Sequence, residues 1–519
     1  MNDFFWGVAT SAYQSEGGYN GPGEPQTNWA AAERKGDVVR AGEAADFWRR
    51  YPEDFACCRS LGLNAFRLGI EWSRVQPTFV DASGPPPPFD YRALGRYVDM
   101  LVHCRQNGLE PFVTLHHFVH PSWLGVDPWL QPNITEHFCR YVQETLLYIN
   151  RALTDHHGLA PIRYFITINE PNMLVLNTYF GTQFPGRAAK THGLRTLLDV
   201  YRQILITHVR AYNLIHRMFE TEGWPRPMVT FNNYCSDLYW SDKVLLDLVS
   251  LRERGVRLAN LSDYIFTKIG QFEEAFSAAR IPFKKDLPYF FGAYLKKISN
   301  WLGYKTFIPE CFAPLVEQLY AVDRPSAFDY VAIDYYDPFA AHMFRHPVWW
   351  DHEFKNKSLR SWLMNSVTSK WWDWRVLPDG MRFFCDYYSR DFGDRPILIA
   401  ENGMALRRRM DNKNTQRRDR MTRSHFLRQH VAAVKSMIES EIPLLGYLHW
   451  SLFDNYEWGS FTPRFGLYSI NYARDRERLV EDHLGDQPGL TYAELVASSV
   501  TGAAHIDEEY PESVDLRQG

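Results

Sequence analysis

Two glutamates stand where a chain would be expected to stay apolar. In "RYFITINEPN" (163–172) the aromatic and β-branched residues Tyr164 to Ile168 lead straight into Asn169, Glu170 and Pro171, and in "PILIAENG" (396–403) an apolar run ends at Glu401 and Asn402. A carboxylate at the end of a buried strand is poorly solvated in its charged form, and the cost is relieved only by a partner or a proton. Such a pair suits the cleavage of a glycosidic bond. One neutral acid protonates the departing oxygen, and one anion attacks or stabilises the oxocarbenium-like carbon. Apolar surroundings and the partner's negative charge would keep a proton on Glu170, whereas a cation such as Arg67 would keep Glu401 ionised.

These groups must be held by regular elements. Short β-branched or aromatic runs recur at 4–10, 65–70, 111–117, 164–170, 227–233, 330–336, 396–402 and 444–450, with strand-like composition. Between them lie amphipathic helical patterns such as 53–63, 91–108 and 134–153, two of them closing on glycine as helix C-caps do. Alternating strands and helices imply a parallel sheet, and eight such units predict an α/β fold, a single (β/α)8 TIM barrel with long loops after the strands. No GxGxxG or GxxxxGK[ST] follows a strand, which disfavours a nucleotide-binding sheet. Polar chemistry gathers at the C-terminal ends of the runs: Arg67, His116 and His117, Asn169 and Glu170, Asp334 to Tyr336, Glu401 and Asn402, and Trp450. In a barrel those ends converge on one mouth.

Composition narrows the class further. A net charge of -4, with 57 basic and 61 acidic side chains, creates no field that favours nucleic acid. Aromatic residues form 15% of the chain, and their flat faces suit either a large core or the apolar faces of sugars. The seven cysteines lack metal-ligand or CxxC spacing, so no metal site or disulfide framework is expected and reduced thiols point to the cytoplasm. The N-terminus shows no basic leader, and no run reaches a membrane span.

Six separated segments carry a resemblance. "FFWGVATSAYQSEGG" (4–18), "LGLNAFRLGIEWSRVQP" (61–77), "TLHHFVHPSW" (114–123), "TINEPN" (167–172), "IAENG" (399–403) and "GYLHWSLFDNYEW" (446–458) resemble, in order, the signatures of glycoside hydrolase family 1, the retaining β-glucosidases. The resemblance implies that Glu170 is the acid/base and Glu401 the nucleophile of a double displacement. It further implies that Arg67 and Tyr336 orient Glu401, and that Gln14, His117, Asn169, Trp450, Glu457 and Trp458 bind the sugar. No cofactor or metal is implied. The expected substrate is a small β-glycoside, and Glu457 disfavours phosphorylated sugars because it would repel a phosphate. Terminal β-D-glucosides are therefore expected, with β-galactosides or β-fucosides beside them. A transglycosylase and a hydrolytically silent carbohydrate-binding protein are the alternatives.

The pattern departs from the family at Ser15, at Phe118 and Val119 in place of Trp-Asp, and at Asp334 in place of Asn. One catalytic domain spanning 1–519 is expected, with a divergent, insertion-like region at about 234–329. Within it, "LPYFFGAYLKKISNWL" (287–302) sets Leu287, Phe290, Phe291, Tyr294, Leu295, Ile298, Trp301 and Leu302 on one helical stripe flanked by lysines. Such a stripe ordinarily packs on its own barrel, although a basic amphipathic helix also suits a lipid surface or an apolar aglycone. The basic stretch 407–420 reads as a solvated loop. Oligomeric state is not indicated.

Overall fold

The computed structural model describes residues 4–180, 184–186, 193–283, 287–339, 374–408, 414–415, 417 and 419–500. Its centre is a closed parallel barrel of eight strands: β1 (Phe5–Ala9), β2 (Ala65–Gly69), β3 (Glu110–Thr114), β4 (Tyr164–Asn169), β5 (Met228–Tyr234), β6 (Val331–Tyr335), β7 (Ile397–Asn402) and β8 (Leu444–Trp450). Each falls within about two or three residues of the expected run. The barrel closes where β1 pairs with β8, Phe5 opposite Gly446 through Ala9 opposite Trp450.

Helices follow the strands: α1 (Phe47–Ser60), α2 (Tyr91–Gln106), α3 (Ile134–Arg151), α4 (Gly193–Glu222), α5 (Leu261–Ala278), α6 (Leu287–Thr306), α7 (Ala313–Ala321), α8 (Pro378–Asp391), α9 (Arg423–Glu439) and α10 (Pro488–Val500). α1 starts six residues before the pattern suggested, because Pro52 lies inside it and reads as a break in sequence. Proline lacks the N–H that its helix would offer to the carbonyl four residues back. That carbonyl, on Trp48, instead accepts from Arg96 Nη2 of α2 at 3.1 Å.

Alternation along the strands divides the core into two layers. Phe66, Leu68, Val113, Phe165, Val331 and Ile399 pack outward beneath the helices. Ala65, Phe112, Tyr164, Ile166, Ala332, Leu398, Ala400 and Leu448 fill the barrel interior. Arg67, between the outward Phe66 and Leu68, therefore points inward and is wholly buried.

The stretch at 407–420 departs from the expected loop. Leu406–Arg408 pairs with both Asn414–Thr415 and Pro463–Arg464, and Arg417 is buried against Asp419. Pairing with a distant segment removes these backbone groups from water, which charge content alone does not signal.

Candidate active site

Strand periodicity alone would aim Glu401 away from the mouth, since Ile397 and Ile399 of β7 face outward. A register shift between β6 and β7 corrects this: Ile333 lies opposite Ile399, but Asp334 lies opposite Glu401. Such an irregularity re-aims side chains. β4 shows a second, with Ile166 opposite Thr230 and Asn169 opposite Asn232. Thr167 meets His208 of α4 and Ile168 packs in the outer layer, so Asn169 returns to the interior. Glu170 follows with φ 37°, in the left-handed region, immediately before Pro171. Proline disfavours the α conformation in the residue before it, and this sharp turn carries the carboxyl group over the mouth.

The result is a cluster of three acids. One oxygen from each of Glu170, Asp334 and Glu401 lies within 4.8 Å of the others. Arg67 Nη1 donates to Glu401 Oε1 at 2.7 Å, and the Tyr336 hydroxyl donates to Glu401 Oε2 at 2.8 Å. Arg67 also donates through Nε to Thr114 at 2.9 Å and through Nη2 to Asn169 Oδ1. With Asn232 Nδ2 also donating to Asn169 Oδ1, at 2.7 Å, the Asn169 amide nitrogen is left as a donor. It reaches His117 Nε2 at 3.3 Å.

The groups expected to bind sugar converge beside this cluster. Gln14 Nε2 donates to Glu457 Oε2 at 3.1 Å, and Trp450 Nε1 donates to Glu457 Oε1 at 3.2 Å. His117 stacks against Trp450 at 5.9 Å and Trp458 at 5.7 Å. All ten side chains singled out in the sequence thus meet at one rim. Two that were not singled out complete it. Asn232 bridges Asn169 and Asp334, and its only signal was the "FNN" at the end of β5. Phe184 closes an aromatic wall with Phe118 at 5.0 Å and Trp458 at 5.3 Å, and gave no signal because it lies in an irregular stretch.

Electrostatics separate the acids. Burial and the charge of Glu401 push Glu170 well above the ordinary carboxylate range. Burial and the charges of Glu401 and Glu170 do the same to Asp334. Burial also raises Glu401, but Arg67 and the Tyr336 hydroxyl oppose it. Glu401 is thus the acid that ionises first, leaving protons on Glu170 and Asp334. His117 is driven well below its ordinary value by burial and by Arg67, so its ring is neutral. Burial carries Glu457 up to about 8.

Asp334 Oδ2 accepts from Asn232, while Oδ1 has no hydrogen-bond partner of that quality, and the carboxyl group is wholly buried. Asp334 and Glu170 also act on each other through a side-chain hydrogen bond that holds Asp334 up and Glu170 down, so a protonated Asp334 is the donor to Glu170. Asp334→Asn preserves a neutral donor there, so it should change kcat/KM by less than about tenfold and leave the alkaline limb in place. Asp334→Ala removes the donor. It should cost about 10- to 100-fold and raise the alkaline limb, because the Glu170 anion loses stabilisation. A clear downward shift of that limb in Asp334→Asn would mean that Asp334 is ionised in the native enzyme.

A parallel barrel whose mouth brings together two buried glutamates of unequal acidity beside stacked aromatics defines a glycoside-cleaving enzyme. The glycosyl hydrolase family 1 model matches residues 1–235 and 273–483, and the chain belongs to that family. It is an O-glycosyl hydrolase of the β-glucosidase type. "Beta-glucosidase 4" of Oryza sativa subsp. japonica is 25% identical over 92% of this chain and 91% of its own. "6-phospho-beta-galactosidase" of Lacticaseibacillus rhamnosus is 26% identical over 91% of this chain and 93% of its own. Among solved structures, "beta-glycosidase from Pyrococcus horikoshii" shares the fold, with a TM-score of 0.61 at 23% identity over 95% of this chain and 94% of that one.

Proposed function

We propose that this protein hydrolyses terminal, unphosphorylated β-D-glucosides with retention, accepting β-galactosides or β-fucosides as well. The observation that carries this reading is the close approach of Glu170 and Glu401, with oxygens inside 4.8 Å. Retention requires carboxyl groups about 5–5.5 Å apart, and inversion needs room for a water between base and sugar.

In this reading Glu401, oriented by Arg67 and Tyr336, attacks the anomeric carbon while Glu170 protonates the leaving oxygen. Once Glu401 is esterified its charge is gone. The repulsion that held the proton on Glu170 falls with it, and the Glu170 carboxylate then activates water. Asn169 Nδ2 donates to the 2-hydroxyl, where contact strengthens in the transition state. Gln14, His117 and Glu457 hold the remaining hydroxyls, while Trp450 and Trp458 take the ring faces.

The phosphosugar name among the relatives makes substrate choice depend on side chains. A sugar phosphate would lie against the buried Glu457 carboxyl group, which offers it no positive charge and cannot ionise beside it without strong repulsion in a dry pocket. Action in the cytoplasm agrees with the seven unpaired thiols.

NMR of an aryl β-glucoside digest, followed from the first turnovers, should show β-glucose before mutarotation. First appearance of the α-anomer would reject the double displacement. If alcohol-bearing products formed with almost no free glucose, the transglycosylase reading would replace hydrolysis.

A further inference from the structure

Helix α6 is the part of the molecule whose chemistry the reaction does not use. Its apolar stripe was expected to pack on the barrel, yet among its described residues only Gly292 is buried. Phe290, Tyr294 and Trp301 are 58%, 63% and 58% exposed. Of the fourteen large apolar side chains exposed among the described residues, six fall between 290 and 308: Phe290, Tyr294, Trp301, Leu302, Tyr304 and Ile308. Phe290, Tyr294 and Trp301 recur at helical spacing on one side, whereas Tyr304 leans on Phe266 and Trp240 and Ile308 lies past the helix end. Three large rings on one side separate this face from scattered exposure, which needs no explanation.

The opposite side of α6 is firmly held. Lys296 pairs with Glu273 at 3.1 Å and with Asp237 at 3.8 Å, and Asn300 donates to Glu273 at 3.2 Å. Gly303 lies so close to Trp240 that any side chain there would run into the indole. The outward face is therefore set by the fold. It carries Phe290, Tyr294, Lys297, Trp301 and Lys305 at helical spacing, with both lysines exposed. Residues 287–306 include three lysines and no acidic residue, in a chain whose net charge is -4. Aromatic rings with lysines are the side chains that settle at a membrane–water boundary, and lysines favour anionic headgroups. No described helix is long and apolar enough to cross a membrane, so the geometry suits lying along a surface.

We propose that the outward face of α6 docks on an anionic lipid bilayer. The docked helix sits at the barrel mouth. Asp237, its partner, lies just past the end of β5 and donates from its backbone to Pro338 at 3.0 Å, while Tyr234 of β5 stacks on Tyr336 at 5.9 Å. Resting on the proposed glycosidase activity, docking presents that mouth to β-glycosides whose aglycone is anchored in lipid.

The test is co-sedimentation of the full chain with vesicles of phosphatidylcholine alone and of phosphatidylcholine mixed with phosphatidylglycerol. The wild type should pellet with the mixed vesicles. Phe290→Ser/Tyr294→Ser/Trp301→Ser and Lys297→Glu/Lys305→Glu should each bind at least about tenfold more weakly, while both still hydrolyse a soluble aryl glucoside at the wild-type rate. Failure of the wild type to pellet with either vesicle would overturn the proposal. So would a wild-type dimer in sedimentation velocity that the aromatic variant converts to monomer, since a second copy would then cover the face. Vesicle binding without any aryl glucosidase activity would remove the catalytic reading and leave docking standing.

Discussion

Glu401→Gln should lower turnover of every β-glucoside by about 10⁴-fold or more, whatever the leaving group, because no covalent intermediate can form. Glu170→Gln should behave differently. With a poor leaving group it should lose about 10²–10⁴-fold, the usual worth of a general acid. With a dinitrophenolate the departing oxygen needs no proton, so the first step should stay fast and the glycosyl-enzyme should accumulate. Mass spectrometry would detect one added glucosyl unit on Glu401. Azide needs no general base, so it should restore turnover of Glu170→Gln as β-glucosyl azide. In Glu401→Gly, where it fills the space the carboxylate leaves, it should attack directly and give α-glucosyl azide. The same anomer from both variants would mean that the two carboxyl groups do not hold the separate roles derived from their environments.

The second large effect concerns Arg67, whose guanidinium serves Glu401, Asn169 and Thr114 at once, with a longer bond to the Ala400 carbonyl. Arg67→Met leaves the Glu401 carboxylate buried beside Asp334 without its cation. Breaking a buried pair this way costs about 3–5 kcal/mol, felt as a lower midpoint in urea and as a Glu401 that stays protonated to higher pH. The acid limb of kcat/KM should therefore move upward, with at least about 10³-fold lost near neutrality. Arg67→Lys keeps the charge but not the planar fork. It should retain most of the stability while still losing the link between Glu401 and Asn169. If Arg67→Met kept a wild-type acid limb, Glu401 would owe its ionisation to something other than Arg67.

How far the sequence could be read is itself a physical matter. The barrel strands were legible because each is a short β-branched or aromatic run bounded by turns, and helix-length patterns separate them. Arg67 was legible by parity, lying between Phe66 and Leu68. Asn169 and Glu401 were legible only as residue types, since their inward aim depends on register shifts that no periodicity encodes. Asn232 escaped notice for the same reason: in "FNN" the choice of inward asparagine follows from pairing with β4. The stripe of α6 shows the converse limit. An apolar helical face has the same pattern whether it meets a barrel or solvent, and the close approach of Gly303 to Trp240 decides which. Pro52 hid the first turns of α1 because its rescue comes from Arg96, a residue on another helix.

The contact between Gln14 and Glu457, proposed to hold sugar hydroxyls, joins two distant stretches of the chain, and the same seam closes the barrel where β1 meets β8. During synthesis the edge of β1 that faces β8 therefore waits, unsatisfied, until the eighth barrel strand has left the ribosome. A nascent fragment can own both glutamates and still have no pocket in which to grip a sugar, so activity waits for β8 and for the Glu457 and Trp458 that follow it.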